Sequence, residues 1–140
     1  MEKLKGYHKI EHSGFLLITC KLYNPETRDV KRVTVEDFDY PYGESPHLSL
    51  EEFTLEELEK IRGMEIDKEA RRLYNLHQGR VDVGAIIEVV KGRKYPAGTR
   101  GKVIKVYDIK DCYGRFIAEY CITDNGLKVA TKNVKIISWS

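Results

Sequence analysis

The sequence predicts an α+β fold: an N-terminal β-hairpin and two short helices packed on a small C-terminal barrel of five strands. Three observations carry that reading. An apolar, β-branched run precedes a Pro-containing turn near the N-terminus. Two capping signals with helical spacing occupy the middle of the chain. The last sixty residues break into short apolar runs separated by Gly and Asp-Asn turns. At 41% hydrophobic and with nine tyrosines among 140 residues, the chain has enough apolar material to build a core, which excludes wholesale disorder.

The hairpin spans roughly 13–36. Its first strand is Gly14-Phe15-Leu16-Leu17-Ile18-Thr19-Cys20-Lys21-Leu22-Tyr23, and Asn24-Pro25-Glu26-Thr27 supplies the turn, because Pro presets φ and Asn tolerates turn geometry. Val30, Val33 and Val35 mark the return strand. Next comes a loop in which aromatics alternate with acids: Asp37-Phe38-Asp39-Tyr40-Pro41-Tyr42-Gly43-Glu44-Ser45-Pro46. A turn over 49–53 leads to Thr54-Leu55-Glu56-Glu57, a capping-box pattern in which hydroxyl and carboxylate satisfy each other's backbone donors. Leu55, Leu58 and Ile61 form the apolar stripe of that helix, and Gly63 ends it. Asp67 then caps a second helix bearing Ala70, Leu73, Tyr74 and His77, with Gly79 as its stop. Strands follow at about 86–91, 101–108, 115–123, 127–131 and 134–138. The division falls after Arg80, giving an N-terminal region 1–80 and a barrel 81–140.

A formal net charge of +2 conceals an uneven distribution. Residues 36–69 carry twelve acids and three bases, whereas 91–105 carry six bases (Lys91, Arg93, Lys94, Arg100, Lys102, Lys105) and no acid. Glycines and a proline space those six along a loop, a pattern suited to phosphate contact, although charge runs also serve as plain solvated faces.

The same segment carries the one informative motif. In 84–103, Gly84 opens a strand, Ile87 and Val89 share a face, Gly92 turns the chain, and Gly98 and Gly101 permit a reversal before Val103 and Val106. With Val90, these residues resemble the KOW motif, the strand–loop–strand unit of SH3-like barrels in transcription elongation factors and large-subunit ribosomal proteins. The resemblance covers about 83–137 and implies a KOW-type SH3-like barrel that contacts nucleic acid or a machine bound to it. The loop Arg93-Lys94-Tyr95-Pro96-Ala97 is longer than the usual one, so contacts at its tip do not transfer residue by residue. The first eighty residues carry no family motif, and their compact, helix-bearing layout suits a phage or mobile-element protein.

Two functions follow. In the first, a non-catalytic module contacts RNA, DNA or a nucleoprotein complex through Lys91, Arg93, Lys94, Tyr95, Arg100, Lys102 and Lys105, the bases pairing phosphates and Tyr95 stacking. In the second, an interaction or inhibitor protein engages a basic partner protein through the acidic, aromatic surface of 36–57, with Asp37, Asp39, Tyr40, Tyr42 and Glu44 in contact. A catalytic constellation is not expected. The four histidines are scattered, and His8 and His12 lie in a segment without a helical apolar stripe, which reads as solvent-facing. Asp37 and Asp39 have no base or metal partner in the sequence, and Lys91-Gly92-Arg93-Lys94 lacks the glycine spacing and helix of a phosphate-cradling loop. No cofactor, metal or small-molecule substrate is expected. Cys112 and Cys121 read as core residues, and three cysteines without metal spacing suit a reducing, cytoplasmic setting. No run approaches a membrane span.

Overall fold

The computed structural model describes residues 2–41 and 44–139, and its chain divides into two compact units, Met1–Tyr74 and Asn75–Ser140. Both units are built on antiparallel sheets, and the molecule is of the mixed α+β class.

The first unit holds β1 (His8–Ser13), β2 (Leu17–Tyr23) and β3 (Val30–Asp37), in that spatial order. Cys20 lies opposite Val33 and Tyr23 opposite Val30, which places the expected hairpin in register. Its turn is fixed by Asn24, whose Oδ1 accepts from the N–H groups of Glu26 and Thr27. The expectation of a two-stranded hairpin is corrected by β1, which adds a third strand along β2. The pairing slips between Lys9 and Glu11, so Lys9 and Ile10 are both buried although they are consecutive.

Helix α1 (Leu55–Gly63) starts as expected. Thr54 Oγ1 accepts from the Glu57 N–H while the Glu57 carboxylate accepts from the Thr54 N–H. Leu58 and Ile61 enter a core with Ile18, Cys20, Leu22, Val33, Val35, Leu48 and Phe53, whereas Leu55, on the first turn, is left exposed. Helix α2 (Lys68–His77) is capped by Asp67, whose Oδ1 accepts from the Ala70 N–H. Ala70 and Tyr74 pack with Ile10, Tyr23 and Val30.

The second unit holds β4 (Ala85–Val89), β5 (Arg100–Lys110), β6 (Phe116–Thr123), β7 (Lys128–Ala130) and β8 (Val134–Trp139) in one sheet of order β7-β6-β5-β4-β8. Strand β5 is long enough to serve two neighbours: Arg100–Lys102 face β4, and the stretch from Val103 to Lys110 faces β6. A 3-10 turn, Thr131–Asn133, carries the chain from β7 to β8 at the opposite edge. Leu76, Val81, Ala85, Ile87, Val89, Val103, Cys121 and Val129 form the core.

Among the described residues no ladder joins β7 to β8, so the five expected strands form an open sheet and no closed barrel. Gly101 of β5 lies against side chains of the β6–β7 connection. A Cβ there would meet the side chains of Asn125 and Thr123, the latter at 2.8 Å. Cys20 and Cys121 are buried, but Cys112 lies exposed in the β5–β6 turn, contrary to its expected place in the core. Among the described residues no helix is long and apolar enough to cross a membrane.

Candidate nucleic-acid interface

The loop 90–99 leaves β4 and is pinned at its base by the backbone. Val90 and Lys91 donate to the Asn133 carbonyl at 2.9 and 3.2 Å, and Gly98 donates to the Val89 carbonyl at 2.8 Å. Its middle is held by Tyr95, which packs against the core and whose hydroxyl accepts from the Lys128 N–H of β7 at 3.4 Å. Anchored in this way, the loop walls a cleft of about 320 Å³. Lys91, Arg93, Lys94 and Lys128 stand at its rim, Tyr95 and Tyr120 are its aromatic surfaces, and among the described residues no acidic side chain lines it.

The pairing register extends that surface across the sheet. Tyr107 of β5 lies opposite Tyr120 of β6, which lies opposite Ala130 of β7; Lys105 and Lys128 flank Ile122 in the next row. Because alternate residues share a face, Lys105, Tyr107, Tyr120 and Lys128 stand together on the side opposite Val106 and Cys121. The Tyr107 and Tyr120 rings stack with centroids 6.1 Å apart, and the Lys105 and Lys128 ammoniums each lie 5.8 Å from the Tyr107 ring. The Tyr107 hydroxyl is buried with no hydrogen-bond partner. At the loop, the Lys94 ammonium lies 5.4 Å from the centre of the Tyr95 ring, a second pairing of cation and ring.

Of the residues singled out from the sequence, Lys91, Arg93, Lys94 and Tyr95 are brought together at the cleft. Lys105 joins the adjoining aromatic face. Arg100 does not take part. Its Nε donates to Glu88 Oε1 at 2.8 Å, and Lys135 reaches the other Glu88 oxygen at 3.1 Å. The Arg100 guanidinium, followed by the Lys135 ammonium, holds the Glu88 carboxyl below its usual range. Lys102 is exposed on β5 near Arg100, away from the cleft lining. Tyr107, Tyr120, Lys128 and Asn133 were not legible as partners of the loop, since only strand pairing brings residues so distant in sequence to it.

The acidic loop is differently arranged. Asp37 is buried, accepting from Ser45 Oγ at 2.6 Å and from the Asp39 N–H at 3.0 Å. It organises the loop from inside, which corrects its expected role as a contact residue. Asp39, Tyr40 and Glu44 are exposed, Tyr40 against the His47 ring at 6.4 Å, and Tyr42 lies outside the described residues. His8 and His12 are exposed, His8 paired with Asp67 at 3.0 Å. No family model matches the chain, and comparison with curated proteins and with solved structures finds no similar one.

Proposed function

We propose that the second unit is a non-catalytic, SH3-like module that binds RNA, DNA or a nucleoprotein complex through its 91–95 loop. The observation that carries this reading is the cleft, where four bases line the same space as two tyrosine rings and, among the described residues, no carboxylate competes for an anion. Phosphates supply most of the affinity of such surfaces, and exposed rings add sequence-tolerant stacking. The SH3-like part of the proposal is supported by the strand order, with the last strand returning to the first after a 3-10 turn, and by the KOW-like glycines and valines of 84–106. Fluorescence anisotropy with labelled RNA and DNA over a range of salt concentrations tests it. Micromolar or tighter binding that weakens steeply with salt is expected, and no binding at low salt overturns it.

A second reading, a protein-interaction or inhibitor protein working through the 36–57 surface, is favoured by one feature of the first unit. Phe38 donates its N–H to the Leu16 carbonyl at 2.8 Å, which joins two loops carrying Phe15 (86% exposed) and Phe38 (60% exposed). Capture of one protein by the full chain, lost with Phe15→Ser and Phe38→Ser and kept with Arg93→Glu, would support this reading over the first.

A further inference from the structure

We infer that the cleft beneath the 91–95 loop takes one unpaired base of a single-stranded polynucleotide, together with its phosphate. The inference rests on the nucleic-acid reading above and deepens it from a charged loop to a nucleotide subsite. Size is the first argument. At about 320 Å³, the cleft stands at the small end of pockets that enclose a ligand, which run from about 300 to 1,000 Å³. It has room for a single nucleotide and none for a run of stacked bases.

The second argument is the division of chemistry within the cleft. Tyr95 is fixed by its hydroxyl contact to β7, and Tyr120 is fixed by stacking on Tyr107, so two rings are already positioned before any ligand enters. Pre-positioned rings favour a flat aromatic guest, because little side-chain freedom is lost when it binds. Lys91, Arg93, Lys94 and Lys128 provide cations at the rim, where a phosphate joined to that guest would lie. Asn133, tied through its carbonyl to the loop base, adds an amide with both a donor and an acceptor for a base edge. A base inside a duplex is stacked and paired, and extruding it costs a few kcal/mol, so the cleft selects single strands. The neighbouring Lys105 and Tyr107 continue the same cation-and-ring pattern along the sheet, giving the rest of the strand a path away from the cleft.

The test compares four labelled probes on the full chain at one salt concentration. They are a short single strand of mixed sequence as RNA, the same as DNA, the corresponding duplex, and a single strand of equal phosphate count carrying abasic residues. At least one base-bearing single strand is expected to bind about 5- to 150-fold tighter than both the duplex and the abasic strand, the range that one stacked base supplies. The two base-bearing strands separate RNA from DNA as the source. Tyr120→Leu should erase the advantage and Tyr120→Phe should keep it, with melting curves to show that both variants fold. Equal affinity for base-bearing, abasic and duplex probes overturns the subsite while leaving the phosphate-binding loop intact. Absence of binding to every probe overturns both, and leaves a protein as the occupant.

Discussion

Lys9 places its ammonium at the C-terminal end of α1, 2.9 Å from the Arg62 carbonyl, although the residue is only 2% exposed. Two further carbonyls, Ile61 at 3.3 Å and Met64 at 3.0 Å, complete its donor set. An ammonium has three donors, and here all three meet carbonyls at the end of the helix, of which Ile61 also accepts from the Met64 N–H. The carbonyl ends also carry the negative pole of the helix, which favours the charge. The Lys9 main-chain carbonyl accepts from Asp67, the cap of α2, so one residue of β1 tethers the ends of both helices.

Lys9→Met keeps the aliphatic stem and removes the three donors. The first unit should lose about 2–4 kcal/mol of stability, because three charge-assisted bonds are broken and the carbonyls at the helix end lose their donor. Urea denaturation of the full chain checks this against Lys60→Met, an exposed site on α1. Equal shifts for the two variants would show that Lys9 does not hold the helix end.

Arg93→Glu with Lys94→Glu should weaken nucleic-acid binding by at least tenfold at low salt and make the salt dependence shallower, since two phosphate contacts are replaced by repulsion. Arg100→Ala should change affinity less than threefold, because Glu88 already holds that guanidinium. The measurement is an anisotropy titration at several salt concentrations. An equal loss at Arg100 would mean that the strand runs along β4 and β5 rather than over the cleft.

Gly101→Ala places a methyl against Asn125 and Thr123 in the second unit. The cost should be about 1–3 kcal/mol, as for other overpacked sites. Thermal melting reads it, and combining it with Asn125→Ala should recover part of the loss by removing one of the obstructing side chains.

The cysteines should separate by reactivity and by pH. Under native conditions at neutral pH one thiol per chain, Cys112, should react rapidly with a disulfide reagent, and Cys112→Ser should abolish that phase. Burial, helped by the nearby Glu119 carboxylate, pushes the Cys121 thiol up from 9.0 to about 11. The folded state thus holds this proton more tightly than the unfolded chain. The associated stability is complete below about pH 9 and is lost as pH rises toward about 11. Burial raises Cys20 too, in the same direction. Melting temperatures at pH 8 and pH 10 should differ less for Cys121→Ala than for the parent chain, and an unchanged difference would remove Cys121 from the alkaline transition.

Local signals account for what the sequence made legible. The capping box at Thr54 and Glu57, the Asp67 cap and the Asn24 turn each depend on residues within a few positions of one another, and each forms as read. Strand β1 was hidden because its bulge turns Lys9 and Ile10 inward together, which erases the alternation that marks a strand. A buried lysine also inverts the usual reading of a charged residue as surface. At the site, the charge run exposed the loop, but its aromatic floor was out of reach. Tyr120 and Lys128 meet Tyr95 only through the register of β6 and β7, and nothing local to 91–105 specifies that register.

The bond between Tyr95 and Lys128 also bears on how the protein avoids itself. Strand β7 is one of the two edge strands of its sheet and only three residues long, and an edge strand offers free backbone groups to any passing chain. The Tyr95 hydroxyl occupies one of those groups, the Lys128 N–H. The contact that holds the loop in place thus also withdraws one backbone donor from an edge open to strand pairing.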